Sequence, residues 1–228
     1  MTNDLSFRKA RTDDFDAIAS ILTADPAPEE IAMAGGSGER ARRWGEAQLR
    51  LRGLRNMHVG EMYGEIVVVV EFGPAAPPSR RFAVLHDLRF EASRALAWTR
   101  IFGVRSLPRY TTLRRAEARA YPPLPPDAYH FSEMTTTQKY RYSGIGAYAR
   151  VYGEKEARRL GYKKMSLHTS VINPTKDMVM RHGYELIATG NDRVYERLTG
   201  IAGWHLLVKE LKDRPSPARP PGDADATG

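Results

Sequence analysis

The sequence predicts an α/β fold in which strands and amphipathic helices follow one another along the chain, and three observations lead to it. Residues 129–136 are β-branched and aromatic, as is typical of a strand. Residues 147–160 repeat small or apolar residues at helical spacing and end at Gly161. Residues 67–70 are four consecutive valines without polar alternation, which predicts a strand buried on both faces at the centre of a sheet.

The basic, glycine-containing turn at residues 138–146 joins the first two of these segments. A strand, a tight turn and a helix N-terminus form an anion-binding arrangement, because unpaired amides and the positive end of the helix dipole point at the ligand. Gly144 and Gly146 let the backbone approach that ligand, and Arg141 adds a fixed charge. The turn therefore predicts a diphosphate site, formed by Arg141, Tyr142, Ser143, Gly144, Ile145 and Gly146.

The spacing of the glycines excludes two common phosphate sites. The chain has no G-x-x-x-x-G-K-[ST] loop of the ATPase type, and no third glycine completes a G-x-G-x-x-G dinucleotide motif. Arg141-x-x-Gly144-x-Gly146 instead resembles the R/Q-x-x-G-x-G/A signature of the GNAT superfamily of acyl-CoA-dependent N-acyltransferases. Further segments resemble that family in the same order along the chain: residues 7–15, 63–67, 162–171 and 173–184.

The resemblance implies a GNAT fold, with a central mixed sheet of about six to seven strands that splays between its fourth and fifth strands, flanked by helices. It also implies acetyl-CoA or another acyl-CoA as co-substrate. The pantetheine arm would run along Met134, Thr135 and Thr136 of the fourth strand, with Asn173 holding the arm or capping a short helix.

The remaining elements follow from local signals. Thr12 is expected to cap a first helix at about 12–24, which ends at the break of residues 25–28. Tyr63-Gly64 predicts a hairpin turn. Residues 80–120 predict two helices inserted between the third and fourth strands, where they could cover an acceptor site. The other expected elements are a strand at 7–10, a helix at 37–55, strands at 57–61, 65–72 and 204–210, a single domain over 1–211 and a disordered tail at 212–228.

Composition narrows the function classes. The 228 residues have a net charge of +8, which suits an anionic ligand such as coenzyme A. There are no cysteines, so disulfides and thiolate chemistry are excluded, and a cytoplasmic location is expected. The sequence contains no signal segment, no apolar run of membrane-spanning length and no metal-ligand motif, so we expect neither a membrane association nor a catalytic metal.

The candidate catalytic residues lie on the fourth and fifth strands. His130 and Glu133 are the ionisable side chains of the fourth strand, and their odd separation predicts that they face opposite sides of the sheet. Either could deprotonate an amine, and the resemblance favours His130. The family's frequent tyrosine acid is replaced by Val179, which leaves Ser170, His168, Tyr184 or water to protonate the leaving thiolate.

The first hypothesis is an acyl-CoA-dependent N-acetyltransferase acting on a small-molecule or peptide amine, as a monomer or homodimer. A strongly cationic acceptor is disfavoured, because the arginine-rich second helix has no matching acidic cluster. Two alternatives stay open: an enzyme that uses a carrier-bound acyl thioester, and a non-catalytic acyl-CoA-binding or RNA-binding protein. Nucleic-acid binding is disfavoured because aromatic residues are not interleaved with the basic ones.

Overall fold

The computed structural model describes residues 5–75 and 83–212, so the predicted disordered tail, apart from Lys212, lies outside the described residues. One seven-stranded sheet has the order β1-β2-β3-β4-β5-β7-β6. Its pairings are antiparallel except that β4 and β5 are parallel. The strands are β1 (Ser6–Lys9), β2 (Met57–Met62), β3 (Glu65–Pro74), β4 (Ala128–Thr136), β5 (Lys164–Ser170), β6 (Glu185–Asn191) and β7 (Gly203–Glu210). The predicted α/β fold with a mixed sheet is confirmed.

Helices cover both faces of this sheet. The helices within the described ranges are α1 (Phe15–Thr23), α2 (Pro28–Met33), α3 (Gly38–Arg52), α4 (Ala83–Phe102), α5 (Leu107–Ala120), α6 (Ile145–Arg159), α7 (Lys176–Arg181) and α8 (Arg193–Thr199). Val69 of β3 packs in a core with α1 and α3, whereas Val68 and Val70 pack in a core with α6. We call the α1–α3 side the insertion face and the α6 side the cradle face. None of the described helices combines the length and apolarity that a bilayer crossing requires.

The helical insertion between the third and fourth strands is confirmed as α4 and α5. Its core joins that of α3, where Trp44 meets Trp98 edge-to-face with ring centroids 5.2 Å apart. This packing carries the insertion onto the sheet side that bears α1 and α3. Two short helices, α2 and α8, were not predicted. Thr12 is not the cap of α1: Asp14 accepts a 2.6 Å hydrogen bond from the Arg11 amide, and residues 12–14 form a 3-10 turn before α1.

The predicted splay between the fourth and fifth strands is also confirmed. Strands β4 and β5 pair over four residues, from Ala128 opposite Lys164 to Phe131 opposite Leu167. Past that last pair β4 continues along β3 to Thr136, while β5 continues along β7 to Ser170. The two strands therefore part at Phe131 and leave a gap, which we call the strand gap, with β4 backbone along one side.

A β-bulge in β4 overturns one prediction about this gap. Phe72 of β3 stands opposite Phe131, but Glu71 stands opposite Glu133, so Ser132 is an extra residue in β4. The extra residue shifts by one position the alternation of the β4 side chains between the two faces of the sheet. His130, opposite Gly73, and Glu133, opposite Glu71, share the insertion face, and the expectation that they face opposite sides is wrong.

Candidate functional site

The predicted anion-binding turn is held in a strained conformation before α6. Residues 138–140 form a 3-10 turn, Tyr142 has φ 63° and Gly144 has φ 86°. A left-handed backbone is costly for a tyrosine, and such strain concentrates at functional sites. The ring of Tyr142 is fully exposed, so side-chain packing does not explain the conformation.

That conformation leaves backbone donors open. In the described parts of the chain, no hydrogen-bond acceptor meets the amides of Tyr142, Gly144, Ile145 or Gly146, and the first bond of α6 is donated by Ala147 to Gly144. Four open amides at the positive end of a 15-residue helix are suited to hold an anion. We call residues 141–146 the cradle.

The glycines of the cradle have distinct roles. A Cβ added to Gly144 would meet nothing within 4 Å, so the space over the turn is open to a ligand. A Cβ on Gly146 would lie 3.1 Å from the Met134 methyl group, so this glycine lets α6 approach β4 closely. Strand β4 therefore runs directly beneath the cradle. The geometry fits a diphosphate on the amides with its organic arm continuing along β4.

Arg141 does not point at the open amides in this structure. Its Nη1 makes a 2.7 Å ion pair with Asp25, on the segment between α1 and α2. Both side chains are exposed, so the pair contributes little to stability. The side chain can exchange Asp25 for a phosphate at small cost, and its predicted role in diphosphate binding stays a prediction.

The residues predicted to line the arm lie along the strand gap. Met134 and Thr136 stand opposite Val70 and Val68, on the cradle face, while Thr135 faces the insertion side with Glu133. Because these residues lie past the last β4–β5 pair, backbone groups of β4 are available on the gap side. An extended arm could pair with them as an added strand.

On the insertion face, His130 belongs to a partly buried pair of imidazoles. Its Nδ1 lies 3.1 Å from Ser166 Oγ on β5, and its ring centroid is 5.2 Å from that of His168. His168 Nε2 donates to the Pro122 carbonyl oxygen at 2.9 Å, which fixes that proton. Burial, and then the neighbouring His168, lower the pKa of His130 to about 4, so the ring is neutral at pH 7.

Glu133 lies farther along the same face, beside the strand gap. Burial raises the pKa of its carboxyl above the ordinary value, the Glu71 charge adds to the rise, and Arg52 opposes it. Arg52 is itself ion-paired to Glu71 at 2.7 Å. Its carboxylate accepts a long 3.4 Å hydrogen bond from the Thr135 hydroxyl. A partly buried, weakly bonded carboxylate with a raised pKa is suited to accept a proton.

The other predicted residues are placed as follows. Ser170 lies opposite Trp204 on the same face of β5 as His168. The side-chain oxygen of Asn173 accepts from the amide and hydroxyl of Thr175, so it caps the turn before α7. Tyr184 is 2% exposed, its hydroxyl lies 3.5 Å from Glu154, and burial raises its pKa, so Tyr184 is not an accessible acid.

Among the described residues no group of His, Asp or Glu is arranged to hold a metal ion.

Removing His130 is expected to make stability less sensitive to acid. A histidine whose folded pKa is about 4, against about 6.5 unfolded, takes up its proton in the unfolded chain first, so its contribution is lost as pH falls through that window. In His130→Gln the decline in unfolding free energy between pH 7 and 4 should be smaller than in wild type, by roughly 1–3 kcal/mol. Chemical denaturation across pH measures this, with His205→Gln as a control on a more exposed imidazole; equal slopes for wild type and His130→Gln would contradict it.

Comparison with solved structures places this architecture among N-acetyltransferase structures. An N-acetyltransferase from Staphylococcus aureus Mu50 aligns with a TM-score of 0.58 at 14% identity, covering 89% of this chain and 99% of that one. A mosquito arylalkylamine N-acetyltransferase like 5b gives 0.53 at 20% identity, with coverages of 90% and 99%. An agmatine N-acetyltransferase mutant gives 0.53 at 19%, with 91% and 100%. No family model and no curated protein matches the sequence. At these identities the likeness shows that the fold is of the GNAT type.

Proposed function

We propose that this chain is an acyl-CoA-dependent N-acyltransferase, most simply an acetyltransferase, that transfers its acyl group directly to a primary amine in a ternary complex. One observation carries the proposal: the open amides of the cradle lead along β4 into the strand gap, and Glu133 and His130 lie on the far face of that gap. A donor bound from one side would thus present its acyl group to an acceptor bound on the other.

On the donor side the chain binds and orients. The cradle amides hold the diphosphate, with Arg141 available to add a charge once it leaves Asp25. The β4 backbone at residues 134–136 holds the pantetheine arm, and an amide there can donate to the thioester oxygen as charge develops. Acyl-CoA, when bound, supplies a carbonyl open to attack and a thiol as leaving group.

On the acceptor side we assign proton removal to Glu133. Its carboxyl lies past the last β4–β5 pair, beside the gap, whereas His130 lies opposite Ser166 within the paired region. A pKa raised towards neutrality also makes Glu133 a stronger base than an imidazole whose pKa is about 4. His130 is the alternative base.

The acceptor is proposed to be a small-molecule or peptide amine. The arginine-rich helix α3, taken alone, disfavours a cationic acceptor. The structure brings carboxylates from other elements to the insertion face. Glu71 and Glu133 stand opposite each other; burial raises the pKa of Glu30 on α2, and the charge of Glu133 adds to that rise. Arg52 compensates only part of this charge, so the face suits an ammonium group before it is deprotonated.

A thiol-release assay tests this function. With acetyl-CoA and one of a panel of primary amines, wild-type protein should release free coenzyme A faster than it does with acetyl-CoA alone or with the amine alone. Release only from carrier-bound acyl groups would support the carrier-dependent alternative. RNA affinity that falls steeply with salt, in a protein that does not bind coenzyme A, would overturn the proposal in favour of a nucleic-acid-binding protein.

A further inference from the structure

Arg150 of α6 is a buried charge that pairs with no described residue. The residue is 3% exposed, and its Nη2 is fully buried without a hydrogen-bond partner in the described structure. Neither a hydrogen bond nor an ion pair joins it to another described residue. Buried guanidinium groups are ordinarily paired, because an uncompensated charge in the interior is costly.

The carboxylate nearest in sequence is already committed to other cations. Glu154, one helical turn after Arg150, accepts a 2.7 Å ion pair from Lys209 and lies 3.6 Å from Arg158. Two cations therefore share one buried carboxylate, and Arg150 is a third positive charge beside them. The local charge balance leaves room for an anion that the described residues do not supply.

Helical geometry directs the side chain of Arg150 towards β5, the strand that borders the gap. Gly153 faces the sheet between β4 and β5, since a Cβ there would lie 2.9 Å from Met165 and 3.3 Å from Phe131. Glu154 points on towards Lys209 of β7. At about 100° per residue, Arg150 projects between these two directions, over β5, and about 4.5 Å nearer the cradle end of the helix than Gly153.

A second unpartnered polar group lies on the same side. Thr169 of β5 is 5% exposed and its hydroxyl has no partner in the described structure. It alternates with Met165 and Leu167, which pack in the core beneath α6, so its side chain faces the cradle side just past the last pair. Two buried polar groups without partners among the described residues thus lie on the cradle face around β5, which borders the gap.

We propose that Arg150 binds an anionic group that the acyl donor places in the strand gap. The anion is either the sulfur of coenzyme A as thiolate or a carboxylate on the acyl chain. This inference rests on the proposed function. It gives Arg150 the task of stabilising the anion of the donor, in a chain where Val179 replaces the family's frequent tyrosine acid.

In the transfer, the amine nitrogen forms a bond to the thioester carbon and the carbon–sulfur bond breaks with its electron pair on sulfur. The amine proton passes to Glu133. The guanidinium of Arg150 keeps its protons and balances the charge on sulfur.

Calorimetry with three donor compounds and thermal unfolding of the free protein together test the inference. Arg150→Leu should weaken the binding of the compound that carries the recognised anion, roughly 10- to 100-fold, as expected for a lost charge-assisted hydrogen bond. Loss for coenzyme A but not for desulfo-coenzyme A, which lacks the sulfur, identifies the thiolate. Loss confined to succinyl-CoA identifies a carboxylate. Arg150→Lys, which retains a charge, should recover part of the affinity.

The matched control is Arg158→Leu, which removes an ion-paired arginine from the same helix. Arg158→Leu should lower the melting temperature of the free protein and leave donor binding unchanged. Arg150→Leu should raise that melting temperature, because it removes an uncompensated buried charge. If Arg150→Leu instead destabilises the free protein and binds all three compounds as wild type does, the inference is overturned. Wild-type protein that binds none of them would overturn the proposed function as well.

Discussion

Substituting Gly144 by glutamate is expected to abolish coenzyme A binding while leaving the protein folded. Gly144 is the N-cap of α6, and a side chain added there would project into the open space over the cradle amides. A carboxylate in that space would occupy the diphosphate site and repel its charges. We expect the dissociation constant, measured by calorimetry, to rise at least about 100-fold.

A matched control is available at the other end of the same helix. Gly161 follows α6, has φ 85° against 86° for Gly144, and a Cβ there would likewise meet nothing within 4 Å. Gly161→Glu therefore carries the same backbone strain. Its negative charge lies near the helix C-terminus, where the helix dipole is unfavourable for a negative charge. Gly161→Glu should be at least as destabilised and still bind coenzyme A; a Gly144→Glu protein that keeps wild-type affinity would refute the cradle.

The cradle could be predicted from sequence because all its determinants are local. A strand pattern, two glycines at fixed spacing and an amphipathic helix suffice to predict open amides at a helix N-terminus. The structure adds what spacing does not encode. Tyr142 has a left-handed backbone, and Arg141 is paired with Asp25, which is distant in sequence.

The relation between His130 and Glu133 could not be predicted in the same way. Counting residues assumes unbroken alternation, and the bulge at Ser132 interrupts it. A bulge depends on how β4 pairs with β3, and β4 offers no glycine or proline that would mark it. Counting therefore assigns the two candidate bases the wrong relative geometry, and their role as bases stays a prediction.

Arg150 illustrates the same limit for buried charges. In the sequence it is one basic residue in a helix rich in them, and the ordinary expectation is a solvated face. Only the packing of α6 against β5 and Tyr184 shows that its charge is buried. Similarly, the carboxylates of the insertion face come from α2, β3 and β4, which no sequence window contains together.

Glu133→Gln is expected to lower kcat roughly 100- to 10,000-fold, the range for loss of a general base, with coenzyme A affinity unchanged. The amide keeps the size and the contact with Thr135 but does not accept a proton at neutral pH. In wild type, kcat/KM should fall on the acid side with an apparent pKa above the ordinary glutamate value, because burial raises the pKa of Glu133. The substitution should remove that acid limb from the pH–rate profile.

Glu71→Gln separates the base from its surroundings. Glu71 stands opposite Glu133 and is ion-paired with Arg52, so its loss removes a negative charge and frees a positive one beside Glu133. Both changes stabilise the Glu133 carboxylate, so Glu71→Gln should keep the acid limb and shift it to lower pH. If the limb survives in Glu133→Gln and disappears in His130→Gln, the imidazole is the base.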